Sequence, residues 1–482
     1  MRTATKTLCD CSKEFSSRGA AAVREAITKF RGARDGNVAL MFGLSLVPIV
    51  FLGGMALDFA SAMQKKAILD AAADSAALAA VTPAMMTQSD QAVMTIAQNM
   101  FAAQASNIPG LNYEPPTVTV TDSLLTRSVT VTYTASSINK FAGILGMPTW
   151  PISSNGSSNG NGTPPQAMNT AAPNINFYLL LDNSPSMDLP ATSAGITAMI
   201  NATKNAPSNG ANAGGCAFAC HESNPAADNL GNPGGIDNYQ LAQNLGVVTR
   251  IQNMASATQS LMTTAAATEA SNNATYQVAI YTFNGSSIPN AIYPPVLGSP
   301  PSANLSAAKT AAANINVLEV CQNNDLVCGT NNNDTDTDFE NAMSYINGIM
   351  PKPGTGAANN SPQEVLFIVT DGVDDEISST CSQKTDGTRC QQPFNTAWCT
   401  TVKNRGILIA VLYTEYLPLP ASGTGSNSWY NSYVAPYQSQ IGPNLQNCAS
   451  SNLFFSVTTD GDITAAMQTL FQTAVTTARL TQ

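Results

Sequence analysis

The stretch that decides the fold is FYLLLDNSPSM, residues 177–187. It begins as an uninterrupted apolar run, which is typical of a strand buried on both faces of a parallel sheet. The run stops at Asp182, and Ser184 and Ser186 follow at alternate positions. Asp and Ser commonly form polar turns at strand ends, but their oxygens are also ligands for a hard divalent cation. The other segments of the chain indicate whether these three residues form a turn or a metal site.

Four further apolar segments follow this strand, namely YQVAIYTFN (276–284), EVLFIVTD (364–371), GILIAVLYT (406–414) and NLFFSV (452–457). Helical patterns separate them near 239–267, 303–315, 337–349, 395–404 and 460–479. Apolar strands that alternate with helices predict an α/β fold with a doubly wound, mostly parallel sheet. Ligands bind beyond the carboxyl ends of the strands in such folds, and Asp182 lies at such an end.

Two more segments bring oxygen ligands toward the same edge of the sheet. EVLFIVTDG carries Asp371 after its strand, and TDTDFENAM places hydroxyl groups just before a helix. We expect Asp182 and Asp371 to lie together at an exposed rim of the sheet. A site with few carboxylates, several hydroxyls and retained waters suits Mg²⁺, with Mn²⁺ and Ca²⁺ as alternatives.

This order of motifs resembles the von Willebrand factor A domain, over residues 175–482. In that family an Asp-x-Ser-x-Ser motif, a Thr from a second loop and an Asp from a third form the metal-ion-dependent adhesion site. The residues that match the two outer motifs are Asp182, Ser184, Ser186 and Asp371. The resemblance implies a metal with one open coordination position, which an acidic side chain of a partner protein fills.

The threonine ligand has two candidates in this chain. The family places it five residues before an Ala-Leu pair, and Ala342-Met343 selects Thr337 by that spacing. Thr335 remains the alternative, because the acidic NNNDTDTD replaces the Gly-Gly that precedes the threonine in the family.

Charge is distributed unevenly along the 482 residues. Residues 1–35 contain eight Lys or Arg against four Asp or Glu, and the remainder contains 13 against 27. An acidic body would repel phosphate backbones, so nucleic acid is not an expected partner.

Between the basic leader and the acidic body, residues 38–57 carry no charge. Twenty residues of helix span about 30 Å, which is the thickness of the hydrocarbon layer of a membrane. The positive-inside rule places residues 1–35 in the cytoplasm and the bulk of the chain in the periplasm or outside the cell.

A cleaved signal peptide is the main alternative for this run, because Ala60-Ser61-Ala62 has the small-x-small form of a cleavage site. The run is longer than a usual h-region and the basic leader is longer than a usual n-region, so we expect a retained single-pass anchor in the cell membrane. We divide the chain into a basic segment, a membrane helix with its extension, a small β-containing region, a flexible linker and the A domain. The bounds are 1–35, 36–82, 83–152, 153–174 and 175–482.

The segment RDGNVALMFGLSLVPIVFLGGMALDFASAMQKKAILDAAADSAALAA is similar to the N-terminus of TadE/TadG-like proteins of the tight-adherence (Flp) pilus system. TadG-like proteins join such a pilin-like anchor to a von Willebrand factor A domain, which is the order seen here. Met41 stands where a cleaved prepilin has Glu, so prepilin processing is not expected. The resemblance implies a role in pilus assembly or anchoring, with other assembly proteins as partners. The alternatives are a surface adhesin with an external ligand and an accessory A domain of an enzyme complex.

The A domain contains eight cysteines, an even number that suits disulfides in an oxidising compartment. Pairing by proximity predicts Cys216–Cys220, Cys321–Cys328, Cys381–Cys390 and Cys399–Cys448. Cys216-Ala-Phe-Ala-Cys220-His221 also resembles a haem-attachment motif, but it has one intervening residue too many. The chain has a single histidine and no nucleophile elbow or zinc-ligand set, so we expect a binding protein and not an enzyme.

Overall fold

The structure is a computed structural model in which the chain divides into two compact units, one ending at Asn169 and the other beginning at Thr170. A short piece, Ser123–Thr126, groups with the second unit. The described residues are Arg24, Thr28, 36–86, 88–123, 125–154, 163–323, 325–329, 335–377, 389–415, 426–458 and 460–480.

The N-terminal unit is built on one long helix, α1, which spans Gly36–Ala80. Its first half leaves most of the large apolar side chains between Leu40 and Leu57 exposed. Among the described residues it is the one helix long and apolar enough to cross a membrane. In its second half, an Ala-rich face is buried in the core of the unit around Leu69.

A second helix and two small sheets cover that Ala-rich face. Helix α2 (Asp90–Ala105) begins at Ser89, whose hydroxyl accepts a hydrogen bond from the amide of Ala92. One sheet has the order β1-β4-β5 and the other the order β2-β3-β6. The strands are β1 (Leu111–Tyr113), β2 (Thr117–Ser123), β3 (Thr126–Thr132), β4 (Thr134–Ile138), β5 (Thr149–Ser153) and β6 (Gln166–Thr170). In β3 buried and half-buried residues alternate, as expected for a strand with one face on the core.

Strand β6 lies inside the segment predicted to be a flexible linker, residues 153–174. Ala167 is buried in the core of the N-terminal unit, and the Asn169 side chain donates a 2.6 Å hydrogen bond to the carbonyl of Val81. The linker prediction is therefore wrong for 166–170, because polar composition concealed a short paired strand. Residues 155–162 of the predicted linker lie outside the described residues.

The C-terminal unit contains a six-stranded sheet with the order β14-β13-β10-β7-β8-β9. All neighbouring strands pair in parallel except β8 and β9, which are antiparallel. The strands are β7 (Ile175–Asp182), β8 (Tyr276–Phe283), β9 (Asn290–Tyr293), β10 (Gln363–Thr370), β13 (Leu408–Thr414) and β14 (Phe454–Val457). A separate antiparallel pair follows β10, formed by β11 (Val373–Ile377) and β12 (Arg389–Pro393). The predicted α/β class with a mostly parallel sheet is confirmed.

Helices cover both faces of this sheet, and successive residues of β7 contact opposite layers. Phe177, Leu179 and Leu181 pack in one apolar core, whereas Tyr178 and Leu180 pack in the other. The first core includes α5 (Arg250–Asn272), α6 (Leu305–Ala312) and α11 (Ile463–Leu480). The second includes α3 (Ser193–Thr203), α7 (Phe339–Ile349), α8 (Ala397–Asn404), α9 (Ser426–Tyr433) and α10 (Gln438–Cys448). Burial on both faces explains the continuous apolar run of β7.

The helix predicted near 239–267 is two helices in the structure, α4 (Asn238–Asn244) and α5. The chain turns at Gly246, which has φ of 68°, a conformation that glycine adopts without steric cost. Thr249 then forms a reciprocal capping box with Gln252 at the start of α5.

Two of the predicted disulfides are present, Cys321–Cys328 and Cys399–Cys448. Cys390 is also disulfide-bonded, and its predicted partner Cys381 lies outside the described residues.

The predicted Cys216–Cys220 disulfide is wrong, because no bond joins these two residues. The Cys216 thiol is buried and lies 3.6 Å from the carbonyl oxygen of Phe218. Both cysteines pack in the same apolar core, so closeness in sequence does not by itself establish a disulfide.

We predict that the Cys399–Cys448 disulfide stabilises the C-terminal unit more than the Cys321–Cys328 disulfide does. It closes a loop with a sequence separation of 49, against 7 for the other. Chain entropy then assigns about 4 kcal/mol to the first bond and about 2 kcal/mol to the second. Urea unfolding of the two double Cys→Ala variants of the full chain, followed by tryptophan fluorescence, measures both losses. Equal losses would contradict the entropic account.

Candidate metal centre

The register of two parallel strands places the first and last predicted ligands at one edge of the sheet. Strands β7 and β10 pair from Ile175 with Gln363 to Leu181 with Val369. Asp182 therefore ends β7 at the level where Thr370 ends β10, and Asp371 follows at once. Neither carboxylate depends on a long flexible loop for its position.

Asp182 is held by three hydrogen bonds. Its Oδ1 accepts the Ser184 amide at 3.0 Å and the Ser184 hydroxyl at 2.6 Å, and its Oδ2 accepts the Thr370 hydroxyl at 2.6 Å. The hydroxyls of Ser184 and Ser186 lie 2.9 Å apart. Asp-x-Ser-x-Ser thus folds into a compact turn in which both serine oxygens face each other beside the carboxylate.

Asp371 is held less completely. Its Oδ1 accepts the amide of Val373 at 3.3 Å. Its Oδ2 is buried and has no hydrogen-bond partner among the described residues, and the nearest cation is the Arg250 guanidinium at 4.0 Å. A buried carboxylate oxygen of this kind costs free energy unless a donor or a cation compensates it.

The expectation of an exposed rim is wrong, because Asp182, Ser184 and Asp371 all have 0% exposed surface. Burial raises the pKa of Asp182 to about 7, and the negative charge of Asp371 adds to that shift. Burial also raises the pKa of Asp371, whereas the charge of Arg250, the Ser186 hydroxyl and the Val373 amide oppose the shift. The sequence showed that the strands end here, but it did not show that helices and loops close over the ends.

The two threonine candidates differ in how they are fixed. Thr337 is buried, and its main chain pairs with Asp375 through hydrogen bonds of 3.1 and 2.9 Å. Thr335 is half-buried, and its carbonyl lies so close to Gly285 that an added Cβ there would be 1.5 Å from the oxygen. The main chain of Thr337 is thus tied to β11 just before α7 begins.

Sequence reasoning missed two residues that support this site. Thr370 could have been found, because it is the hydroxyl residue directly before Asp371 in the VTD motif. Arg250 begins α5, far away in sequence, and has no local signal that connects it to Asp371. Asp374 adds a further link, since its buried carboxylate accepts the amide of Phe339 at 3.1 Å and ties β11 to the start of α7.

The donor set fits a hard divalent cation better than a soft one. Among the described residues no group of three or more His, Cys, Asp and Glu side chains is placed to share a metal ion. Two carboxylates with neighbouring hydroxyls remain, and such oxygen sites suit Mg²⁺, Mn²⁺ or Ca²⁺. Within this pair of carboxylates, Asp371 Oδ2 is the oxygen without a hydrogen-bond partner among the described residues.

His221 has a structural position outside this centre. Its Nδ1 lies 2.8 Å from a carboxylate oxygen of Asp237, and its ring packs beside Tyr239 at a centroid distance of 4.8 Å. The hydrogen bond with Asp237 raises the pKa of His221. Asp237 also caps α4 by accepting the amide of Gln240 at 2.7 Å.

Residues 36–88 match the TadE/G-like family of Flp pilus-assembly proteins. The match covers all of α1 and the turn that follows it. The resemblance of the N-terminal segment to this family is confirmed, and the chain carries a pilus-assembly segment there. A search of curated protein sequences found no match to the chain.

Solved structures with a similar arrangement include a mussel byssus protein, a bacterial A domain and a pilus adhesin. Proximal thread matrix protein 1 from the mussel byssus is 11% identical, with a TM-score of 0.31, over 63% of this chain and 49% of that one. A von Willebrand factor type A protein from Catenulispora acidiphila is 12% identical, with a TM-score of 0.30, over 77% and 50%. The adhesin SpaC from Lactobacillus rhamnosus GG is 9% identical, with a TM-score of 0.30, over 77% and 33%. This chain spans half or less of their lengths, and its fold assignment rests on its own strand order.

Metal titration separates the two threonine candidates. We predict that Thr337→Ala weakens Mn²⁺ binding at least about tenfold, the loss typical of disturbing a metal site, because the spacing to Ala342-Met343 selects Thr337 as the threonine ligand. Thr335→Ala should change the affinity by less than about threefold on the same reasoning. Isothermal titration calorimetry of the full chain in detergent measures both. A larger loss for Thr335→Ala would show that the family spacing selects the wrong residue.

Proposed function

We propose that this chain is a membrane-anchored component of Flp pilus assembly or anchoring that binds a partner protein through a divalent cation. The ligands are Asp182, Ser184, Ser186, Thr337 and Asp371. One observation carries the proposal, namely the meeting of two buried carboxylates at one sheet edge with Asp371 Oδ2 left without a hydrogen-bond partner among the described residues. The TadE/G-like segment supports the pilus context. Mg²⁺ is the best candidate, with Mn²⁺ and Ca²⁺ as alternatives.

The hydrogen bonds of the turn prepare the oxygens for a cation. The Ser184 hydroxyl donates its proton to Asp182, so its oxygen lone pairs remain available for a metal. Thr370 donates to the other Asp182 oxygen and fixes the carboxylate plane. Arg250 balances part of the charge of Asp371 without a direct hydrogen bond. When bound, the cation supplies a coordination position that a carboxylate of the partner can fill.

The membrane anchor rests on the exposed apolar half of α1 and on the basic residues that precede it. Exposing the apolar side chains between Leu40 and Leu57 to water would cost free energy, whereas the same side chains are stable in lipid. The Cys321–Cys328 and Cys399–Cys448 disulfides support an oxidising compartment for the C-terminal unit. We therefore place the N-terminus in the cytoplasm and the bulk of the chain in the periplasm or outside the cell.

Removing either carboxylate should abolish the metal response. We predict that Mg²⁺ at one hundred times its Kd stabilises the wild-type chain by about 2.7 kcal/mol, and that Asp182→Ala and Asp371→Ala lose this gain. Glu364→Gln is the matched control, because Glu364 is also buried but lies at the other end of β10, hydrogen-bonded to Asn176 at 2.9 Å. Urea unfolding with and without Mg²⁺ measures the effect. An unchanged Mg²⁺ response in both Asp variants would contradict the site.

The partner is tested in cells that make Flp pili. We expect photo-crosslinkers near the site to capture a pilus assembly protein from the wild-type chain, and the capture should disappear with a chelator and in Asp182→Ala. If the Asp182→Ala variant still captures the assembly protein, the chain binds that protein without the metal site. Capture of an external ligand alone would favour a surface adhesin.

Reporter fusions test the orientation. A reporter that is active only outside the cytoplasm should work when fused after Gln482 and fail when inserted before Arg34. Activity of a cytoplasm-only reporter after Gln482 would overturn the topology.

A further inference from the structure

We propose that the loop of residues 141–148, called here the apolar loop, lies in the interfacial layer of the membrane that α1 crosses. The N-terminal unit would then have two membrane contacts, the spanning helix and this loop. The inference rests on the anchor in the proposed function and does not depend on the metal centre.

A carboxylate ties the loop to the level at which the apolar run of α1 ends. Asp58 is the first charged residue after that run. Its carboxylate accepts the main-chain amides of Lys140 at 2.9 Å, Phe141 at 2.8 Å and Ala142 at 2.8 Å. Charge-assisted bonds to three successive amides fix the loop at this height along α1.

The Phe141 ring lies deeper than Asp58. It packs on Gly54, where an added Cβ would be 2.5 Å from the Phe141 Cγ. Gly54 precedes Asp58 by one helical turn, so the ring overlaps the last turn of the apolar run. On the other side of Asp58, Phe59 meets Trp150 edge to face at 5.3 Å between ring centroids. Trp is one of the two residues enriched at membrane–water interfaces, and Trp150 lies at this boundary.

The loop leaves three large apolar side chains exposed beyond Phe141. These are Ile144, Leu145 and Met147, and Ile144 is 72% exposed. An apolar patch of this kind marks a protein or membrane contact. Lipid is the occupant we assign, because the patch adjoins the bare apolar half of α1.

The main chain of the loop can enter the interface at little cost. The amide of Ile144 donates to Phe141 at 3.1 Å, and the amide of Met147 donates to Ala142 at 3.0 Å. The Asn139 side chain donates to the carbonyl of Met147 at 2.9 Å. Polar main-chain groups near lipid must be satisfied within the protein, and these are. Lys140 is exposed beside the loop, where its ammonium can reach the headgroups.

Quenching by brominated lipids tests the position of the loop. All three native tryptophans are replaced by Phe, and one tryptophan is introduced by Ile144→Trp or, as the control, by Met168→Trp. Met168 is similarly exposed, at 65%, but its neighbour Asn169 contacts Val81, roughly 35 Å along the helix axis beyond Asp58. In phosphatidylcholine vesicles with brominated acyl chains, we expect severalfold stronger quenching for Ile144→Trp than for Met168→Trp.

A pair of glycine variants tests the packing that places the loop. Gly54→Leu should push Phe141 off the helix and reduce the quenching of the tryptophan at 144 by about half. Gly53→Leu should leave the quenching unchanged, because open space surrounds Gly53.

Carbonate extraction of the same vesicles distinguishes the possible failures. A chain that stays in the membrane while the tryptophan at 144 is unquenched would overturn the inference and leave the anchor intact. Unquenched but blue-shifted emission would also overturn it, because protein would then cover the loop. Release of the chain by carbonate would overturn the anchor and the inference together.

Discussion

The parallel pairing of β7 with β10 is the constraint on which the C-terminal unit depends. Both strands are buried along their whole length, so a shift of one residue would exchange the side chains of the two apolar cores. The register that satisfies both cores also brings Asp182 and Asp371 to one edge. Core packing and the geometry of the candidate site are therefore set by the same interaction.

The site departs from what a stable fold alone requires. Two neighbouring carboxylates without exposed surface repel each other and lose hydration. Ser184 and Thr370 satisfy Asp182, but Asp371 keeps one oxygen without a hydrogen-bond partner among the described residues. Such local conflict is expected where function and not stability selects the residues. A divalent cation between the carboxylates would remove it.

The sequence predicted the features that local patterns encode. Apolar runs indicated the five predicted strands, and Asp-x-Ser-x-Ser indicated the first group of candidate ligands. It could not predict the contact of Arg250 with Asp371, because that contact joins residues far apart in sequence. Nor could it predict the burial of the site or the absence of a Cys216–Cys220 disulfide, since tertiary packing decides both. The short strand β6 was missed because its polar residues resemble a linker.

Anomalous diffraction from crystals of the full chain grown with Mn²⁺ tests the central claim most directly, because it locates the ion. The account predicts a peak bonded to the oxygens of Ser184 and Ser186 and enclosed by Asp182 and Asp371. A peak only at another acidic group, such as Asp374 with Glu376, or no peak at saturating Mn²⁺, would contradict it.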